Sequence, residues 1–400
     1  MRSDLNPSSS AGLARFGTVL NVPTKGAVFD LRRGGFAGRH DSNESCAPGK
    51  AGEGEVSYRQ SYDGKRVLVT GGGGSIGTNL VRALVKEGAR MVIILDDFSA
   101  AYEWNIPSLP GVMLVRGSVA DDVALKRVFN ENVDLVFHLA AFFANQNSVD
   151  YPERDLMVNG MGTLKVLEYS RLARVPRVVY ASSGCSIYGH EAPLPLREDY
   201  MSMHLTTPYQ ITKMLGELYA NFFSHHYDMK IVKTRFFNSY GPGEVPGQYR
   251  NVIPNFIYWS MMGKPLQITG NPDATRDFCY VGDLVDGLLR AGYFDAAAGQ
   301  EFNLASEREI RIGTLAEMVN EATGNKAGVE IVAKRKWDTK NRLLASVDRA
   351  RKLVGYEPST RFEDGLQQTI RWFRDNWDNI RQCASFGPGV SSAVRSVVGR

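Results

Sequence analysis

Tyr209 and Lys213, four positions apart in "PYQITK", could share one face of a helix. An ammonium beside a phenol stabilises the phenolate and lowers its pKa toward working pH, turning a weak base into a usable one. Alone, Y-x-x-x-K is commonplace and reads as a surface pair. Here it follows "RVVYASSG", a run that reads as a strand ending in two serines, and Ser183 there could bond the same substrate oxygen. Upstream, "TGGGGSIGTNL" sets Gly71, Gly74 and Gly77 in a G-x-x-G-x-x-G turn between a strand and a helix, with Ser75 and Ile76 inside it. Such a backbone turns tightly, approaches a pyrophosphate without a Cβ in the way, and offers helix N-terminal amides to the anion. Asp96 ends the next strand, 19 positions after Gly77. A carboxylate there accepts hydrogen bonds from an adenosine ribose and repels a 2′-phosphate, which favours NAD over NADP; Asp97 is the alternative ribose ligand.

These residues need a rigid platform, and the sequence supplies a pattern for one. Six short β-rich runs, "RVLVT" (66–70), "MVIILD" (91–96), "VMLVRG" (112–117), "LVFHLA" (135–140), "RVVYAS" (177–182) and "KIVKTRFF" (230–237), are nearly continuous in apolar residues. Parallel strands covered on both faces look like this. Between them, segments such as "IGTNLVRALVKEG" and "MVNGMGTLKVLEYSRLA" have helical apolar spacing, so the expected fold is α/β, a Rossmann-type doubly wound parallel sheet. After Asn238 the pattern loosens into loops and then helices ("IPNFIYWSMMG", "IGTLAEMVNEATG", "FEDGLQQTIRWFRDNW"). This predicts a smaller region at the carboxyl ends of the strands, where ligands sit in such sheets. The expected division is a disordered extension over 1–62, a dinucleotide-binding domain over 63–237 with part of 278–304, a mainly substrate-binding region over 238–378, and a flexible tail over 379–400. The extension is rich in Gly, Ser, Arg and Asn and shows neither helix nor strand periodicity.

Composition narrows the partners. The chain has 400 residues, 43% apolar and 22% charged, enough for a sizeable core. Its net charge is +4 with the basic residues spread along the chain, so neither nucleic acid nor a membrane surface is expected and the partner is small. Cys46, Cys185, Cys279 and Cys383 lie far apart with no C-x-x-C pair, which indicates neither a metal site nor a disulfide framework and suits a reducing cytoplasm. No apolar run is long enough to span a bilayer.

Taken together, "VTGGGGSIG", "FHLAA", "VNGMGTLKVLE", "VVYASS", "PYQITKMLGE", "RFFNSYGPG", "VIPNF" and "TRDFCYVGDL" resemble the extended short-chain dehydrogenase/reductases, and within them the NAD-dependent nucleotide-sugar epimerases and dehydratases. The likeness runs from about Lys65 to Trp377. It implies that Tyr209 is the base, that Lys213 holds the nicotinamide ribose and that Ser183 orients the sugar hydroxyl. Leu139, Ala140 and Ala141 would line the cofactor with Ser118, Val119 and Phe236, and Asn159 would fix the loop beside it. Asn238, Asn251 and Arg276 would hold a nucleotide diphosphate, with Val252 and Gln267 in the same substrate-binding set. Arg276 could instead be a structural partner of Asp277. A homodimer is implied, and no metal.

Two departures stand out. The usual S-S-x-x-V-Y-G reads "SSGCSIYG", one residue longer, so counting from the strand selects Ser183 while counting back from Tyr188 lands on Gly184. The acidic residue usual near the adenine is replaced by Ser118. For the reaction, the 4,6-dehydratases place an Asp-Glu pair where this chain has Gly184 and Cys185. Cys185 resembles the acid of a 3,5-epimerase, but the lysine that accompanies it has no counterpart in "GPGEVPGQYRNVIP"; the other reading is a packing residue. That stretch looks like the 4-epimerases rather than the decarboxylases. The expected activity is therefore 4-epimerisation of a UDP-linked hexose or hexuronate; the alternatives are a dehydratase, 3,5-epimerase or decarboxylase of the same family, a net NAD-dependent oxidoreductase, or a silent NAD sensor.

Overall fold

The computed structural model describes residues 61–338 and 340–386. Eleven strands are found among them: β1 (Arg66–Thr70), β2 (Met91–Asp96), β3 (Val112–Arg116), β4 (Leu135–His138), β5 (Val178–Ser183), β6 (Ile231–Phe236), β7 (Leu266–Thr269), β8 (Thr275–Asp277), β9 (Glu301–Leu304), β10 (Glu309–Arg311) and β11 (Val329–Val332). Seven form one parallel sheet in the order β3-β2-β1-β4-β5-β6-β9. Side chains alternate across it: Val67, Val69 and Ile94 enter one core with Leu80 and Leu288, whereas Leu68, Ile93 and Leu95 enter the other with Val128 and Leu167. Burial on both faces is why these strands read as unbroken apolar runs.

The six strands expected from the sequence form within one or two residues of their predicted ends. The seventh, β9, has the sequence "EFNL" and lies with the helix Val281–Tyr293 in the 278–304 stretch assigned to the sheet domain. The stretch read as one helix, "MVNGMGTLKVLEYSRLA", starts as a π-helical turn over Leu156–Met161 before the α-helix Gly162–Leu172. Asn159 lies in that turn and is buried.

Beyond β6, the helices Val252–Met261, Ile312–Thr323 and Phe362–Asp375 pack through Ile253, Phe256, Leu315, Phe362 and Phe373. Two small sheets flank them, β7 with β11 (parallel) and β8 with β10 (antiparallel). All of this belongs to one compact unit with the large sheet.

The extension expected over 1–62 and the tail over 379–400 fall mostly outside the described residues, and at both margins the fold reaches further than expected. Tyr62 is buried and donates its hydroxyl to the Leu289 carbonyl at 2.6 Å. At the other end a helix runs over Trp377–Cys383 and buries Ile380. Phe386 packs on Tyr258 and Trp259, with ring centroids 5.4 Å from each. Tyr102 Oη donates to the Cys383 carbonyl at 3.3 Å, and the Gln248 amide donates to the Ser385 carbonyl at 2.9 Å. In "NIRQCASF" the apolar residues Ile380, Cys383, Ala384 and Phe386 span barely two turns, too short a run for a sequence reading to detect.

Candidate active site

The strand order reverses between β1 and β4, so their carboxyl ends open a crevice. Gly71 leaves β1 with φ +69°, and a Cβ there would lie 2.7 Å from the Ala140 backbone that leaves β4. At Gly77, in the first turn of the helix Ser75–Lys86, a Cβ would lie 2.3 Å from the Gly71 carbonyl oxygen. The loop can close over the helix N-terminus only because these positions lack side chains. Gly71, Gly74, Ser75, Ile76, Gly77, Asp96, Ser118, Val119, Leu139, Ala140, Ala141 and Phe236 all line one cavity of about 400 Å³. This glycine cradle, with helix amides at one end and a carboxylate at the other, fits a dinucleotide.

Asp96 is buried, and burial raises its pKa. Its two oxygens accept from the Gly73 and Phe98 amides, both at 2.9 Å. Gly73, which the sequence reading passed over, is thus the glycine that fixes the carboxylate. Asp97 also lines the cavity but is exposed and accepts from the Ser99 amide at 2.9 Å. Asp96→Ala is therefore expected to weaken NAD binding, measured by titration calorimetry, and to reduce the bias against NADP. Unchanged affinity in that variant together with its loss in Asp97→Ala would transfer the ribose role to Asp97. Ser118, in place of the usual acid, accepts from the Ala120 amide at 3.2 Å. Asn159 stands behind the cavity wall: its Oδ1 accepts from the Phe142 amide at 2.8 Å, and its Nδ2 donates to Asp155 at 2.7 Å.

Pro208 opens the 20-residue helix Pro208–Tyr227, and the Thr207 hydroxyl caps it by accepting from the Gln210 amide at 3.3 Å. Tyr209 and Lys213 both line the cavity, with Ser183 at the end of β5 facing them. The extra residue of "SSGCSIYG" is taken up by a short helical turn, Gly184–Ile187. Ser183 therefore stays in the cavity, its hydroxyl donating to Ser186 at 3.0 Å, while a Cβ on Gly184 would strike the Phe237 ring at 2.0 Å.

The electrostatics differ from the sequence-based expectation. Burial pushes the Tyr209 phenol well above its ordinary pKa and Asp155 adds to the rise, while a hydrogen bond with Ser183 opposes it. Lys213 does not offset this: its Nζ donates to the Ala181 carbonyl at 2.8 Å and lies 5.7 Å from the Tyr209 ring centroid. Burial brings Lys213 down to about 8 against the pull of Asp155, which burial in turn raises to about 6. Four-residue spacing does bring the pair together, but for two buried side chains desolvation outweighs the neighbouring charge.

Asn238, Asn251 and Arg276 line the cavity and also an adjoining one, where Val252 and Gln267 are found. Asn238 Nδ2 donates to the Asp277 carbonyl at 2.9 Å. The ion-pair partner of Arg276 is Asp338, at 3.1 Å, rather than Asp277, whose carboxylate is held by Ser306 and the Ala345 amide. Sequence reasoning missed Glu244, which burial raises to about 7 and which accepts from Asn251 Nδ2 at 3.0 Å. It also missed Arg250, whose guanidinium donates to the Ala100 carbonyl beside the Asp96 strand end. A third omission is the segment carrying Arg335, Trp337 and Lys340. Trp337 Nε1 donates to Gln146 at 2.8 Å across the mouth, and Lys340 Nζ donates to the Cys185 carbonyl at 2.9 Å. Cys185 thus has a lysine neighbour, supplied 155 residues downstream rather than by the stretch searched for it. Its thiol is raised by burial.

A dinucleotide-dependent enzyme that exchanges hydride and a proton with a bound alcohol is the class this crevice describes. Residues 67–305 match the NAD dependent epimerase/dehydratase family, and the chain belongs to that family. It is 33% identical over 313 residues, 78% of its length and 99% of the relative's, to the UDP-glucose 4-epimerase of Mycolicibacterium smegmatis. Among solved structures, an epimerase of Methanothermobacter thermautotrophicus superposes with a TM-score of 0.81 at 55% identity, over 82% of this chain and 97% of that one. The Bordetella bronchiseptica enzyme WbmF in complex with NAD+ and UDP superposes with a TM-score of 0.71 at 33% identity, over 81% and 96%.

Proposed function

We propose that this protein is an NAD-dependent 4-epimerase of UDP-linked sugars, with Tyr209 exchanging the C4 hydroxyl proton and Ser183 orienting that oxygen. The observation that carries the reading is the composition of the sugar-facing wall. Ser183, Tyr209 and Lys213 meet there, while the positions after Ser183 are a glycine packed on Phe237 and a thiol that burial keeps protonated. A 4-epimerase needs no second base: C4 is oxidised, the ketone turns over, and the same hydride returns to its other face. NAD supplies the hydride acceptor when bound. This chain's residues do the rest: Tyr209 takes and returns the proton, Ser183 holds the oxygen, and Lys213 meets the ribose. Asn238, Asn251 and Arg276 hold the diphosphate, with Val252 and Gln267 on the nucleotide side.

In deuterated water, product NMR is expected to show no solvent deuterium at C3 or C5, because only the C4–H bond breaks at carbon. Deuterium at C5 together with an inactive Cys185→Ser enzyme would replace this reading with 3,5-epimerisation, using the Cys185 and Lys340 pair.

The homodimer is part of the same proposal. The helix Pro208–Tyr227 exposes Ile211, Leu218 and Phe222, and the neighbouring π-helical turn exposes Leu156, Met157 and Met161. A single apolar surface over two packed helices suits a second copy of this chain. Sedimentation should give twice the chain mass for the wild type and one chain mass for Met157→Glu/Leu218→Glu; a monomeric wild type at micromolar concentration would refute it. Among the described residues no helix is long and apolar enough to cross a membrane. Cys185, Cys279 and Cys383 form no disulfide among the described residues, which suits a cytoplasmic setting.

A further inference from the structure

Lys340 belongs to a segment, residues 334–342, that carries Lys334, Arg335, Lys336, Lys340 and Arg342 against one carboxylate, Asp338. Arg342 is held by Glu309, and Asp338 is held by Arg276. Lys340 forms no ion pair among the described residues; its only hydrogen bond there is to the Cys185 carbonyl. Burial lowers its pKa to about 8, Arg276 pushes the same way, and Asp338 recovers part of the loss. An ammonium half-buried in the cavity wall, with no ion-pair partner among the described residues, gains from a ligand that provides one.

The position of the ammonium selects the ligand group. Lys340 Nζ lies 2.9 Å from the carbonyl oxygen of Cys185, two residues past Ser183, and lines the cavity that holds Tyr209 as well as the adjoining one, so it borders the reacting end. In a pyranose with C4 at Tyr209, the phosphate-bearing C1 lies across the ring, whereas C3 and C5 with its C6 substituent lie next to C4. Resting on the 4-epimerase reading above, we propose that the sugar carries a carboxylate at C6, a hexuronate, and that Lys340 is the specificity-determining residue that receives it.

The turning ketone makes this contact one-sided. Rotation about the C1–phosphate link exchanges the C5 and C3 sides of the ring, so Lys340 meets the carboxylate in one of the two epimers only. The equilibrium constant ties the kcat/KM values of the two directions together, so where hydride transfer in the Lys340-bound orientation limits the rate, loss of the contact lowers both by the same factor. It reaches that result unequally, by raising KM for the epimer that meets Lys340 and by lowering kcat for the other. A contact to the diphosphate would raise KM for both alike.

The test compares UDP-glucuronate and UDP-galacturonate with UDP-glucose and UDP-galactose, using wild type, Lys340→Met and Lys340→Arg. Wild type is expected to favour the uronates in kcat/KM by at least about tenfold, the size of one charge-assisted hydrogen bond. In Lys340→Met that ratio should fall toward one, with the KM rise confined to one uronate epimer, and Lys340→Arg should keep most of it. Calorimetric binding of UDP-glucuronate against UDP-glucose reads the same selectivity without turnover. A wild-type enzyme that turns over or binds the neutral sugars as well as the uronates, or an equal loss on both kinds in Lys340→Met, would overturn the inference. The 4-epimerase reading fails separately, if no C4 epimer forms from any of the four.

Discussion

Tyr209→Phe is expected to lower turnover by about 10² to 10⁴ while nucleotide-sugar binding stays largely intact. The substitution removes one oxygen and keeps the ring, which packs edge-on against Phe143 at 6.0 Å. The groups beside it are poorly suited to take over the proton, and Lys340 is turned to the Cys185 carbonyl. Lys213 is turned to the Ala181 carbonyl, Cys185 is held as a thiol, and the Ser183 hydroxyl is far too weak a base. Turnover within threefold of wild type would rule out Tyr209 as the proton carrier. Calorimetry with the sugar nucleotide separates the loss from a damaged pocket.

The second large effect is on stability. Arg235 and Glu217 are almost fully buried, and the guanidinium grips the carboxylate through Nε at 3.0 Å and Nη2 at 2.8 Å. Ser182 donates to the same carboxylate at 2.5 Å. Glu217→Leu leaves the guanidinium in the core without its counter-charge and is expected to cost about 3–5 kcal/mol, read from urea unfolding. Glu217→Leu/Arg235→Met should regain most of that, because neither charge is then stranded. A single variant within 1 kcal/mol of wild type would show that the core readily admits water to the guanidinium. Glu217 sits two turns along the helix from Tyr209, and its partners lie on β5 and β6, so the pair also sets the rotation that aims Tyr209 at Ser183. The double variant should therefore recover stability more fully than turnover.

Much of this was legible in the sequence for identifiable reasons. Strands buried on both faces leave unbroken apolar runs, and a turn that must meet a pyrophosphate leaves glycines at fixed spacing. β9 left no such trace: four residues with Glu and Asn among them gain their burial from β6 and the helix Val281–Tyr293. Asn159 faces inward because the backbone opens into a π-helical turn, which apolar spacing does not encode. Lys340 and Trp337 meet partners 155 and 191 residues away, so nothing in the local pattern "KRKWDTKN" marks them. The pairing of Tyr209 with Lys213 was readable from spacing, whereas the direction of the phenol's shift depends on burial, which spacing does not report.

The segment that ends at Phe386 bears on timing. Cys383 ties to Tyr102, and Ser385 ties to Gln248, whose loop also carries Tyr249, Arg250 and Asn251 into the crevice; Arg250 then reaches Ala100 on the adenosine side. The chain's last described turn thus buckles two loops across the cofactor cradle. An enzyme that must hand back the hydride it has just removed cannot let the carrier go halfway through. Joining the two loops favours retention of the reduced cofactor until the ketone has turned.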